Sequence, residues 1–198
     1  MAKRETYRHG DLRNALIRAG VELAREGGPD AVVLREATRR AGVVPNAAYR
    51  HFADRRALLA AVRQAALAEL AAELERGAAE LDARARLRAL VVGYLGFAQD
   101  QPGLFRAAFS TSDMADTGGE AAAGPAGVTA FDLLGATLDG LVESGDLPPE
   151  RRPGAEYVVW SAVHGLSVLL IDGPLRGLLP VEAQEAGERL LDSIERGL

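Results

Sequence analysis

The chain contains no cysteine. That excludes disulfides, thiolate zinc sites and cysteine nucleophiles. Histidine is almost as scarce. His9, His51 and His164 stand far apart, with no acidic cluster at ligand spacing, so no metal centre is expected. No apolar run is long enough for a membrane span. The longest, around Tyr157–Ile171, covers about 15 residues and includes His164 and Ser167. The N-terminal residues lack the apolar core of a signal peptide. Together these features predict a soluble, cytoplasmic chain. Strand signals are nearly missing too, since Val32-Val33 is too short to make one. The parts of an enzyme are also lacking. Gly118–Gly124 has no following lysine and makes no phosphate loop, and no nucleophile elbow or paired catalytic carboxylates appear. Glu69, Glu73 and Glu75 read as a solvated helix face. The expectation is a non-enzyme that needs no cofactor.

What is present is helical periodicity. Hydrophobic residues make up 48% of the 198 residues, ample for a packed core in one large or two small domains. Apolar spacing predicts helices over 10–26, 34–41, 45–52 and 55–80, then 84–101, 104–110, 128–144, 154–171 and 180–196. Glycine and proline punctuate them at Gly27-Gly28-Pro29, Gly42, Pro102-Gly103, Gly145 and Gly173-Pro174. Asp54 is placed to cap the fourth helix, and Pro45 suits the first turn of the third. The expected fold is all-α, with about nine helices. A three-helix helix-turn-helix domain over residues 1–56 would lead into a helical-bundle ligand and dimerisation domain over 57–198. The fourth helix would cross that boundary unbroken, a lever from body to head.

Net charge divides along the same boundary. Residues 1–56 carry twelve Lys/Arg against seven Asp/Glu, a net +5, and the remainder carries −10. A basic head on an acidic body suggests a nucleic-acid module joined to something else. Within the head, Gly42 turns one short helix into another, and the second is rich in polar and aromatic groups. The second helix of such a motif can enter the major groove of double-stranded DNA. Asn46 has the geometry to pair with adenine, Arg50 to donate to guanine or phosphate, and Ala47 to touch a thymine methyl. Tyr49, His51, Arg55 and Arg56 suit phosphates. Lys3, Arg4 and Arg8 could form a basic arm.

Residues 10–59 resemble the DNA-binding domain of the TetR family of transcriptional regulators. The resemblance rests on His9-Gly-Asp-Leu-Arg13, Arg35–Gly42, Pro45-Asn-Ala-Ala-Tyr-Arg-His-Phe52 and Asp54-Arg55 followed by Ala57-Leu58-Leu59. It implies DNA contacts from Arg35, Thr38, Pro45, Asn46, Ala47, Tyr49, Arg50, His51 and Arg55. Three positions depart from the family pattern. Val44 replaces the usual Ser/Thr cap, Arg55 replaces lysine, and Thr38 stands where alanine is common. Further on, Trp160-Ser-Ala-Val-His164-Gly165 and Gln101–Ser110 are similar to a C-terminal domain class named for its tryptophan, histidine and glycine.

Aromatic residues are only 5% of the chain, and many lie in the body segments that enclose the family's pocket. Tyr94, Phe97, Phe105, Phe109, Phe131, Trp160 and His164, with Met114, are candidates to line a site for a small-molecule effector. Ordinary core is the competing reading for each, and for His164 a satisfied core histidine is the favoured one. The 111–127 segment is either a lid or a surface insertion. Apolar residues on most sides of 157–171, and the stripe Val181, Ala186, Leu190, Leu191, Ile194 and Leu198, predict a homodimer through the last two helices. The reading is a repressor released from a palindromic operator by an apolar ligand. The alternative is a helical dimer acting by protein contacts or constitutive DNA binding.

Overall fold

The computed structural model describes residues 9–110 and 122–197, the side chains of residues 9–11 excepted. Among the described residues there are nine α-helices and no strand. They are α1 (His9–Ala31), α2 (Leu34–Arg40), α3 (Pro45–Ala48), α4 (Arg55–Ala78), α5 (Ala83–Asp100), α6 (Pro102–Ala108), α7 (Ala130–Ser144), α8 (Ala155–Ile171) and α9 (Pro180–Gly197). Lys3, Arg4, Arg8, Met114, Leu198 and most of the 111–127 segment, and with them the basic arm and the lid, lie outside the described residues.

The chain folds as two compact units. One runs up to Ala66 and also takes in Gly103–Ser112; the other is formed by Leu67–Pro102 and the chain after Ser112. α6 joins the head rather than the body.

The head is built on α1. Its backbone breaks at Gly27 and at Gly28 (φ 71°), where the first helix was expected to end, and Pro29–Ala31 add one further turn. Leu16, Val32, Ala37, Ala48, Leu58 and Val62 are all fully buried and form the core. Small residues set the crossings. A Cβ on Gly20 would stand 2.4 Å from Val62, and one on Gly103 would stand 2.3 Å from the Ala24 carbonyl oxygen. The latter contact seats α6 on α1. The Arg63 guanidinium, itself buried, reinforces that seat by donating to the Ala108 carbonyl at 3.1 Å.

In the body, α5 is central and packs on α7, α8 and α9. Gly187 brings α9 close to Leu95, and Arg88 pairs with Glu195 at 2.9 Å. Thr129 and Asp132 form a reciprocal capping box that starts α7. Arg152 ties α7 to α8 through Asp139 and Glu156, both at 2.7 Å. Buried Ala155, Val159, Val163, Ser167 and Leu170 define the inward face of α8. Tyr157, Val158, Val168 and Leu169 are exposed on the same helix. The expected burial of α8 on most sides is thus incomplete within one chain. α9 likewise buries Ala183, Gly187, Leu191 and Ile194, while Val181 is exposed.

Candidate nucleic-acid interface and apolar cavity

The turn between α2 and α3 closes by a Schellman motif. The Val43 N–H donates to the Thr38 carbonyl at 3.0 Å, and the Gly42 N–H donates to the Arg39 carbonyl at 3.2 Å. Gly42 has φ +69° with open space around a hypothetical Cβ. Its glycine is required by backbone conformation, not by crowding. α3 then starts at Pro45 with no side-chain cap, as the valine at 44 implies. It is shorter than expected. Regular helix ends at Ala48, and the chain continues as a turn to His51, where backbone N–H groups of His51 and Phe52 both donate to the Ala48 carbonyl.

That turn fixes which groups face outward. Ala48 and Phe52, four apart, are buried, and the Phe52 ring lies 5.4 Å beneath the Arg13 guanidinium. Pro45, Asn46, Tyr49 and Arg50 are consequently exposed together, with Ala47 and His51 half-buried at the margins. Arg35 is exposed on α2. α4 begins at Arg55, where the Asp54 carboxylate accepts from the Ala57 N–H at 2.8 Å.

Two of the expected contact residues make bonds within the head. Thr38 is buried, and its hydroxyl donates to the Arg35 carbonyl at 2.8 Å, so it serves the packing of α2. Arg55 is committed to the head's own backbone. Its Nε donates to the Val32 carbonyl at 2.8 Å and a terminal nitrogen to the Pro29 carbonyl at 2.7 Å. The arginine in place of lysine is what makes that two-point tie possible. Neighbouring basic residues are also partly engaged. Arg39 holds Glu36 at 2.6 Å, and this hydrogen bond, aided by Arg40, pulls the Glu36 carboxyl down to about 2. Arg40 in turn pairs with Glu26.

The body holds a partly open cavity lined by Leu74 of α4, Leu90, Val91 and Tyr94 of α5, Ala130 and Leu134 of α7, and Val159, Trp160 and Val163 of α8. Its walls present apolar atoms alone. The volume open to the centre of a water-sized sphere is about 20 Å³, room for about one water. Tyr94 and Trp160 meet edge to face at 5.2 Å, and Phe131 stands against Trp160 at 5.5 Å.

Of the seven residues expected to line a pocket, Tyr94 and Trp160 do so. His164 does not. Its Nδ1 shares a 2.9 Å hydrogen bond with the Tyr94 hydroxyl, so it backs the wall rather than offering a polar handle to the cavity. Burial lowers the His164 pKa below its ordinary 6.5 and raises that of Tyr94, which keeps the pair neutral near pH 7. Phe131 is one layer out, between Trp160 and Tyr157. Phe97 is buried away from the lining. Phe105 and Phe109 belong to the head, where their rings meet at 4.8 Å. Sequence reasoning missed the aliphatic walls, Leu74 above all. The only available signal was helical phase, which does not distinguish a cavity wall from any other core position.

A helix-turn-helix with an exposed second helix, carried on an all-helical body with an apolar cavity, defines a class: DNA-binding transcriptional regulators. Comparison with known families makes the assignment specific. Residues 16–62 match the family described as bacterial regulatory proteins, tetR family, and residues 87–194 match the tetracyclin repressor-like C-terminal domain. The chain belongs to the TetR family, whose members are DNA-binding regulators rather than enzymes. No curated protein matches it. Among solved structures, a protein of unknown function from Rhodococcus sp. RHA1 is 30% identical with a TM-score of 0.76, covering 98% of this chain and 99% of that one. The regulator FadR from Bacillus subtilis, in complex with stearoyl-CoA, shares the fold at 14% identity and a TM-score of 0.70, covering 93% and 98%. A TetR variant from Acinetobacter baumannii AYE, in complex with minocycline, does so at 21% and 0.61, covering 93% and 94%. Among the described residues no helix is long and apolar enough to cross a membrane.

Proposed function

We propose that this DNA-binding regulator is a homodimeric repressor that leaves a palindromic operator when a small apolar ligand enters the body. Residues 1–56 supply the reading and 57–198 the ligand response and dimerisation. Pro45, Asn46, Ala47, Tyr49 and Arg50 face the duplex, with Arg35 and His51 flanking. One observation carries the ligand response: Leu74 in the cavity wall and Leu58 and Val62 in the head core stand on the same unbroken helix, α4. A ligand larger than a water that seats between the walls must push them apart. Displacing Leu74 then tilts a helix that is also part of the head, and the favoured spacing of the two heads changes. The stearoyl-CoA and minocycline complexes of the structural neighbours are consistent with a body that accepts bulky ligands. All-apolar walls and a neutral Tyr94–His164 pair suit an uncharged ligand or an acyl or aryl portion of one. Dimerisation through α8 and α9 is supported by the exposed Tyr157, Val158, Val168 and Leu169 of α8 and Val181 of α9.

A second reading is favoured by the small cavity: a dimer that binds DNA constitutively and takes no ligand. Duplex-binding measurements on a palindromic and a scrambled site, with and without candidate apolar compounds, separate the two. Equal affinity for both duplexes would sink the repressor reading. Tyr49→Ala is expected to weaken operator binding by about tenfold or more while the dimer stays intact in sedimentation. Dissociation of that variant would show the recognition face to be misplaced.

A further inference from the structure

The large apolar side chains exposed on the head, among its described residues, are Val33, Val44 and Tyr49, at 39%, 68% and 58%. Val44 is the most exposed and directly precedes Pro45. Its backbone is extended, at φ −73° and ψ 144°. A serine or threonine there could cap α3 or donate to a phosphate; an isopropyl group can do neither. Val44 therefore contributes no cap to α3 and little to the core, yet it occupies the leading edge of the recognition element. Its neighbours are just as informative. Asn46 is exposed beside it with the geometry to read adenine. Ala47, the residue that the sequence alone suggests for a thymine methyl, is half-buried and has only one methyl to offer.

The one apolar feature that a base edge shows in the major groove is the C5 methyl of thymine. We infer that Val44 reads this methyl, so that each half-site carries a thymine under the start of α3, next to the adenine read by Asn46. Both contacts select A·T pairs, and they reinforce each other. Removing water from the Val44 isopropyl and the methyl is the driving force. The inference rests on the reading of α3 as the recognition element.

The test uses the full chain. Duplexes are selected from a randomised pool, and each thymine of the enriched site is replaced in turn by uracil. Uracil retains every hydrogen-bonding atom and lacks only the methyl. At one fixed salt concentration, a single replacement in a half-site is expected to weaken binding about fourfold, the worth of one buried methyl, and roughly fifteenfold when both half-sites carry it. Val44→Ala should bind the thymine and uracil duplexes within about twofold of each other, while Ala47→Gly keeps the full difference. Because Val44 is exposed, the variant's melting temperature should match the parent's, which separates a lost contact from a lost fold. The inference is overturned if no uracil replacement matters, if the difference survives Val44→Ala, or if it follows Ala47→Gly instead. Should selection enrich no sequence at all, the recognition reading itself fails and this inference falls with it.

Discussion

Tyr94 and His164 show how a single hydrogen bond decides what a cavity can accept. With the 2.9 Å bond made, both polar groups are occupied behind the wall, and the cavity offers only carbon. The same pair makes stability depend on pH. Burial lowers the folded-state pKa of His164, so the unfolded chain takes up a proton first as pH falls through 6.5. Stability is therefore complete above the ordinary value and declines below it until the folded form also protonates. Denaturant unfolding between pH 7.5 and 5.5 should show this decline, and His164→Gln should flatten it. An unchanged slope in that variant would place the titration elsewhere. At the acidic end Glu36, whose carboxyl is held down to about 2 by Arg39, acts together with Glu26 and Asp146, which are also held below their ordinary values. The Glu36 contribution is present above the ordinary 4.5 and is lost as pH falls toward 2, outside the His164 window.

At the scale of elements, helix placement was legible because glycine and proline mark the ends. Gly42 and Gly145 both take positive φ at helix C-termini, where the sequence put them. The capping of α4 by Asp54 and the missing cap at Val44 were equally readable, since both are local chemistry. What escaped was long-range. α6 follows α5 in sequence but belongs to the head, and the determinant is the Gly103 backbone lying against carbonyls of α1. Nothing within ten residues of Gly103 encodes that. The same holds for Phe105 and Phe109, expected at a pocket because they lie in segments that enclose the family's, and for Arg55, whose partners lie 23 and 26 residues away. Two glycine replacements measure the difference between local and tertiary control. Gly103→Ala forces a methyl into the Ala24 carbonyl and should cost about 1–3 kcal/mol. Gly77→Ala, in α4 with open space around its Cβ, should gain about 0.5–1 kcal/mol. Thermal melts of the two variants should move in opposite directions, and a neutral Gly103→Ala would mean that α6 is not seated as described.

For the whole molecule, the proposed paired reading and ligand response share one helix, α4. Arg55 and Leu74 are 19 residues apart in α4, about 28 Å along the axis. A tilt of about 5° at the cavity end therefore moves the other end by roughly 2.5 Å, against a half-site spacing near 34 Å. The response requires a dimer, because a lone head has no spacing to lose. Val158→Asp, on the exposed face of α8, should yield monomers in sedimentation and halve the salt dependence of DNA binding, as half the phosphate contacts disappear. A variant that remains dimeric would move the interface away from α8. Val163→Phe then tests the lever without knowledge of the ligand. Val163 is buried and lines the cavity. A ring there exceeds the space for one water and must press on the opposing walls, at a cost of about 1–3 kcal/mol. If the cavity is coupled to the heads through Leu74, this variant mimics the bound state. It should stay folded and dimeric, bind the operator more weakly than the parent, and lose little affinity for non-specific DNA, because phosphate contacts by each head are unchanged. Full operator affinity in a folded, filled variant would uncouple the cavity from the heads and leave constitutive binding as the function.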